Sequence, residues 1–253
     1  MKKLLIHTCC APCFTYIQEE LETQGLPLPD GSYEKVAYTA CWYNPNIHPK
    51  VEYERRKQAF ISFCDTHNTT YHVVDSYDME AYAAMVATQV GQDKKYRIRC
   101  EYCYMLRLRK VFEIAKENGY DIVSTTLTIS PYQNHEMIQK VGKQLEEEYG
   151  ISFCYVDYRP HFREGQRMAR ELSIYMQKYC GCMFSMEMRY YNRNPIQARA
   201  TNGYEIPKEP RMQVKKIENK EDYIDLLLEA DPSKDMIHKY LNDSDVYALK
   251  KED

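Results

Sequence analysis

The sequence predicts an α/β fold, a Rossmann-like parallel sheet flanked by helices, and three observations carry that expectation. Short apolar runs alternate with longer segments of helical spacing from Lys3 to about Tyr179. Gly and Pro punctuate the junctions between them, as strand–helix alternation requires. The unusual residues, chiefly cysteines, cluster at the ends of the expected elements, and such sheets bind ligands beyond the carboxyl ends of their strands.

Taken in order, Lys3–Thr8 reads as a first strand and Ala11–Gln24 as a helix with Phe14, Ile17 and Leu21 on one face. "GLPLPDGS", Gly25–Ser32, is a loop by composition. Val36–Tyr43 is a second strand, broken by Pro45 and Pro49. Val51–Asn68 is a helix, Thr70–Asp75 a strand, and Met79–Val90 a helix. Cys103–Asn118 should be a helix stopped by Gly119, followed by a strand at Asp121–Thr126. His135–Tyr149 is a helix closed by Gly150, Ser152–Asp157 a strand, and Arg163–Tyr179 a helix. Periodicity weakens after about Arg193, so the expected organisation is a domain over residues 1–191 and a mostly helical, charged appendage over 192–253.

At 253 residues, with 44% hydrophobic and 28% charged residues, the composition is that of an ordinary globular chain. No apolar run approaches the ~18 residues of a membrane span. Met1-Lys2-Lys3-Leu4-Leu5-Ile6 is too short in its apolar part for the ~7–15-residue core of an export signal. The expectation is a cytoplasmic protein with no membrane partner. The net charge of −3 makes no global case for nucleic acid. Locally, Lys94–Lys110 holds seven basic residues and one acidic one, with Tyr96, Tyr102 and Tyr104 interleaved. Cations for phosphates and aromatic faces for bases suit an RNA substrate, and Lys94, Arg97 and Arg99 are the candidate contacts. A solvated helix face is the plainer reading of the same run. Oligomeric state has no signature in the sequence.

Ten cysteines are many for a chain in a reducing compartment, where clusters point to metal or redox chemistry. Seven fall in three clusters, Cys9/Cys10/Cys13, Cys100/Cys103 and Cys180/Cys182, each expected in a turn or at a helix end. Cys41, Cys64 and Cys154 stand singly in apolar elements and read as small buried hydrophobes. Four thiolates would complete a structural zinc site, so seven leave a surplus. Iron–sulfur clusters are also thiolate-ligated. The C-x3-C-x2-C pattern of radical enzymes fails because Tyr16 stands where the third cysteine is needed, and no phosphate-binding glycine loop is present.

Six motifs then occur in order: "LIHTCCAPC", "NPNIHPKVEYERR", "RCEYCYMLRL", "TTLTISPYQNHEMI", "DYRPHFREGQ" and "YMQKYCGCMFS". From about Leu4 to Ser185 the chain resembles the QueH family of cobalamin-independent epoxyqueuosine reductases. The resemblance implies reduction of epoxyqueuosine to queuosine at the tRNA wobble base, by an iron–sulfur cluster, taken as [4Fe-4S], with a mononuclear iron beside it. It also implies an external electron donor and a tRNA substrate containing epoxyqueuosine. The expected metal ligands are Cys9, Cys10, Cys13, Cys100, Cys103, Cys180 and Cys182; Cys13 stands apart, since some members carry a carboxylate at its position. Candidate proton donors are His7, His48, Tyr132 and Asp157, with Asn134 joining Tyr132 in substrate contact. Gln177 and Tyr179 would orient the last cysteine pair. For His48 a local loop bond, and for Asp157 a salt bridge with Arg159, are the competing readings. Three other functions compete: an iron–sulfur tRNA-thiolating enzyme, a structural zinc protein that binds RNA, and a thiol–disulfide oxidoreductase using Cys9–Cys10.

Overall fold

A computed structural model describes residues 1–28, 30–77, 82, 96–190, 212–216, 219–224 and 247–251. The chain divides into two compact units, Met1–Arg193 and Asn194–Asp253.

The first unit is built on five parallel strands: β1 (Lys3–His7), β4 (Ala37–Trp42), β5 (Tyr71–Val73), β6 (Ile122–Thr125) and β7 (Ser152–Phe153), in spatial order β5-β4-β1-β6-β7. β2 (Leu26–Pro27) and β3 (Tyr33–Glu34) form a small antiparallel pair outside it. The chain runs outward from β1 through β4 to β5, then returns to the other side of β1 for β6 and β7. The order therefore reverses between β1 and β6, and a crevice opens there at the carboxyl ends His7 and Thr125.

Alternation along β1 explains the two layers. Leu4 and Ile6 enter one core with Phe14, Ile17, Trp42, Phe60 and Phe63, under helices α1 (Ala11–Thr23) and α2 (Lys50–Thr66). Leu5 enters the other with Cys41, Leu108, Phe112, Val123, Ile138 and Leu145, under α3 (Tyr96–Asn118) and α4 (His135–Tyr149). Trp42 is fully buried, stacked on Phe60 at 5.6 Å between ring centres. α4 lies so close to β7 that a Cβ on Gly142 would sit 2.1 Å from the Phe153 ring. Gly150 ends α4 with φ of 69°, the left-handed stop its position implies.

Three boundaries differ from the sequence expectation. α3 begins at Tyr96, so Cys100 and Cys103 lie inside its first turns, where the basic run had read as surface. The last strand is only Ser152–Phe153, because the chain leaves the sheet after Cys154 N–H bonds to the Val123 carbonyl. The helix expected over Arg163–Tyr179 is α5 (Phe162–Glu171), and it stops early. Ser173 adopts φ of 55°, while Ile174 N–H reaches the Ala169 carbonyl and Ser173 N–H the Arg170 carbonyl. That is a Schellman stop with serine in the position usually held by glycine. It frees residues 172–182 to return to the crevice, before α6 (Met183–Tyr190) begins. The helix expected over Met79–Val90 lies outside the described residues except for Tyr82.

In the second unit, β8 (Met212–Lys216) pairs antiparallel with β9 (Tyr247–Lys251), and a 3-10 turn spans Lys220–Tyr223. The ribbon joins strand structure to a segment expected to be mostly helical. Residues 225–246 lie outside the described residues. No helix of the described residues is long and apolar enough to cross a membrane.

Candidate metal centre

Cys9, Cys10 and Cys13 stand where β1 ends and α1 begins. Cys10 is the N-cap of α1 in extended conformation, its side chain unused as a cap, and Pro12 opens the helix where no N–H is required. The three sulfurs lie within 4.8 Å of one another, with Cys9 Sγ 3.7 Å from Cys10 Sγ. Among the described residues this is the sole such group of three metal-ligating side chains. Four thiolates around one ion at about 2.3 Å would stand ~3.8 Å apart, so the triad matches a single thiophilic ion.

Cys100 and Cys103, one turn apart on α3, face Cys180 and Cys182 on the returning segment, and the charges of these four bear on one another. They do not close to the triad's spacing. Four cysteines are the number an iron–sulfur cluster takes as ligands. Gly181 makes the Cys180–Cys182 turn possible. Its φ is 132°, and a Cβ there would meet Ile47, Arg56 and Asn46 at 3.1–3.4 Å.

Burial dominates most of these thiols. It pushes Cys103 up to about 12 and Cys180 up to about 11, and it also raises Cys100 and Cys10. Hydrogen bonds with Cys10 and Cys9, then burial, raise Cys13 well above the ordinary thiol value. Cys9 goes the other way. Hydrogen bonds from Cys10 and Cys13 hold it well below that value, helped by Arg107 and Thr126. One thiolate among buried neutral thiols is a set whose remaining protons a bound cation would displace. The lone cysteines have no such neighbours. Cys41 and Cys64 are fully buried in the two cores and Cys154 is half-buried, with burial alone or chiefly raising their thiols.

Polar side chains hold the sulfurs in place. Thr126 Oγ1 donates to Cys9 Sγ at 3.2 Å, Gln177 Nε2 to Cys10 Sγ at 2.7 Å, and Gln133 Nε2 to Cys180 Sγ at 3.5 Å. Arg56 clamps the returning segment to α2. Its guanidinium donates to the carbonyls of Tyr179 and Cys180, at 3.1 Å each, and to Glu52 at 2.7 Å. Tyr179 OH in turn donates to the His48 carbonyl, and His48 N–H to the Gly181 carbonyl at 2.8 Å.

The remaining sequence candidates separate. His48 lies beside the cysteine loop, its Nδ1 3.1 Å from Tyr77 OH. His7 is fully buried between Thr125 Oγ1 and the Tyr43 carbonyl. Burial, and then Arg107, lower its pKa to about 3, so the ring is neutral and encased. That suits an anchor of β1 more than a proton donor. Asp157 is bound at both oxygens by Arg159, at 2.8 and 2.6 Å, which holds its carboxyl below the usual range and leaves it without a proton at neutral pH. Asn134 caps α4, accepting from Met137 N–H at 3.1 Å. Tyr132, two residues before it, is 85% exposed on the rim, edge-on to Phe162.

The basic run is not a phosphate-binding face along its length. Arg99 is buried, with its guanidinium 4.5 Å from the centre of the Phe184 ring. Arg107 is buried among the thiols, while Arg109 pairs with Glu148 and Lys110 with Glu113. Helix periodicity turns part of the run inward, a direction that charge composition cannot show. Lys94 and the Arg97 side chain lie outside the described residues. Sequence reasoning missed Arg56, Arg107, Asn44, Gln133 and Tyr77. Arg107 stands four and seven residues after Cys103 and Cys100, a spacing that would have placed it on their face had α3 been started at Tyr96.

A parallel sheet with a thiol-lined site at its topological switch defines the class: a Rossmann-like protein built to offer sulfur ligands. The chain belongs to the epoxyqueuosine reductase QueH family, whose model matches residues 4–188. It is 32% identical over 192 residues to epoxyqueuosine reductase QueH of Dehalococcoides mccartyi, an alignment covering 76% of this chain and 97% of that one. To QueH of Thermotoga maritima it is 34% identical over 192 residues, covering 74% and 91%. To that of Staphylococcus aureus it is 32% identical over 191, covering 72% and 75%. Among solved structures it is similar to the U34-tRNA thiolase NcsA from Methanococcus maripaludis with its [4Fe-4S] cluster. The identity is 13%, covering 73% of this chain and 61% of that one, and the TM-score of 0.42 is too low to carry an argument.

Proposed function

We propose that the Met1–Arg193 unit is the catalytic domain of an epoxyqueuosine reductase that converts epoxyqueuosine to queuosine in tRNA, in the cytoplasm. The observation that carries this reading is the convergence of seven thiols on the β1/β6 crevice, in a chain of this family. Cys9, Cys10 and Cys13 would hold a mononuclear iron, and Cys100, Cys103, Cys180 and Cys182 a [4Fe-4S] cluster. The division follows the spacing of the sulfurs. It also places the adjacent Cys9 and Cys10 on one centre.

Removing the epoxide oxygen to leave an alkene takes two electrons and two protons and releases water. Held by these cysteines, such centres would supply electrons from an external donor and Lewis acidity toward the epoxide oxygen. The protein's own part is positional. Gln177, Gln133 and Thr126 fix sulfur orientation by N–H and O–H donation. His48 and Tyr77 share a proton at Nδ1 and OH beside the cysteine loop and are the proton source the geometry favours. Tyr132 offers an exposed aromatic face on which a splayed anticodon base can stack. The 194–253 unit lies outside the family match and is read as an accessory.

Anaerobic purification with iron and sulfide quantification, followed by assay on tRNA containing epoxyqueuosine, tests the proposal. Bound iron, visible absorbance and queuosine formation are expected. Full activity without iron, or a colourless zinc protein, would overturn it.

A further inference from the structure

We propose that Arg107 is the fixed counter-charge of the thiol pocket, a buried cation that sets the charge balance and the reduction potential of the centre the cysteines hold. This rests on the reading of those cysteines as ligands of a redox metal centre.

Among the described residues two guanidiniums are buried to 2% exposure, Arg56 and Arg107, and they are treated differently. Arg56 has the carboxylate of Glu52 at 2.7 Å. Arg107 makes no ion pair with a carboxylate among the described residues. Its Nη2 donates to Asn44 Oδ1 at 2.6 Å, its Nη1 lies 3.9 Å from Cys103 Sγ, and its Nε has no hydrogen-bond partner. Asn44 is itself fully buried and pinned by its Nδ2 to the Thr8 carbonyl at 3.0 Å, so the guanidinium is held in one place.

An arginine does not shed its proton to relieve burial, and a buried unpaired charge is costly. The compensating anions must therefore come from its surroundings. The groups whose charge stabilises it are Cys103, Cys9 and Cys180, which belong to both thiol groups. Thiols become thiolates when they take a metal. In the metal-free pocket Arg107 faces chiefly the Cys9 thiol group, held toward its charged form, and once the pocket is filled it faces thiolates of both groups. A positive charge fixed beside a thiolate-bound centre favours its more negative, reduced state, and so raises the potential at which it accepts an electron.

The test uses R107Q, which keeps hydrogen-bond donors and removes the charge, and R107K, which keeps the charge and loses the fork. The full chain of each is reconstituted anaerobically with iron and sulfide. Iron per chain and the midpoint potential in a dye-referenced titration are then read. R107Q is expected to show a more negative midpoint, or less iron, with R107K restored toward wild type. The proposal is overturned by a wild-type midpoint and iron content in R107Q. R107K behaving as R107Q overturns it equally. Wild-type protein that takes up no iron sinks the metal-centre reading itself, before any variant is compared.

Discussion

Replacing Arg56 by Met removes the clamp between α2 and the segment that carries Cys180 and Cys182. Three losses follow from the geometry. Glu52 stays buried without the Arg56 guanidinium, keeping the Tyr175 hydroxyl at 2.7 Å as its side-chain hydrogen bond among the described residues. The carbonyls of Tyr179 and Cys180 each lose a charge-assisted bond of 3.1 Å. Breaking a buried ion pair costs about 3–5 kcal/mol, and a hydrogen bond to a charged group is worth ~1.5–3 kcal/mol. These terms overlap, and about 5 kcal/mol is the working figure. No discount for solvent screening applies, because the Arg56 side chain is only 2% exposed. Against a total stability of about 5–15 kcal/mol, that is a large fraction. At roughly 2–4 °C per kcal/mol for a domain of this size, Tm should fall by about 10–20 °C. Thermal denaturation followed by circular dichroism reads this directly, and iron per chain after reconstitution reads the released loop. The paired substitution E52L/R56M, which removes both charges, should recover much of the stability but not the iron, since the two carbonyls remain untied. A fall in Tm of less than about 2 °C for R56M, or full iron content in it, would refute the clamp.

Other outcomes follow from the same geometry. Alanine at Cys10, Cys100, Cys103, Cys180 or Cys182 should lower iron per chain and abolish turnover. Alanine at Cys41 should leave iron content unchanged, a contrast that elemental analysis reads. G142A should destabilise, because a Cβ 2.1 Å from the Phe153 ring is overpacking worth about 1–3 kcal/mol, more than the ~1 kcal/mol of helix propensity gained. G142A/F153L should recover part of the loss in a urea titration. Y132A should leave Tm unchanged and raise the KM for tRNA by about 5- to 150-fold, the ~1–3 kcal/mol of a stacked base, as steady-state kinetics would show. D157N should leave the pH profile of turnover unchanged from pH 5 to 8. Arg159 depresses the Asp157 carboxyl, so its contribution to stability is full above the unfolded value of about 3.9 and is lost only as pH falls through the lower folded value. A shifted profile would return Asp157 to the proton-transfer step.

Much of the fold was legible because its signals are local. The β1–α1 junction, the strand before "NPNIHP" and the glycine stop of α4 were all readable from periodicity and turn chemistry within a few residues. The early stop of α5 was not, because Ser173 takes a left-handed conformation that a sequence reader expects of glycine. The start of α3 was hidden for a different reason. Its first turns carry Arg97, Arg99 and Glu101, and burial of Arg99 against Phe184 depends on an element far along the chain.

The sequence by itself determined the inventory of chemistry: seven clustered thiols, the strand that presents three of them, and the family to which their motifs belong. Those facts lie in short-range spacing, which survives without tertiary contacts. The tertiary structure alone decided how the thiols divide, three drawn within 4.8 Å and four set wider apart, because Cys9, Cys103 and Cys180 meet only when three distant segments close on the β1/β6 crevice. It also decided that Arg107 belongs to the pocket and Asp157 to a surface ion pair. A charged residue in a sequence has no side until a helix is packed, and packing against the sheet is what gave each of these its neighbours.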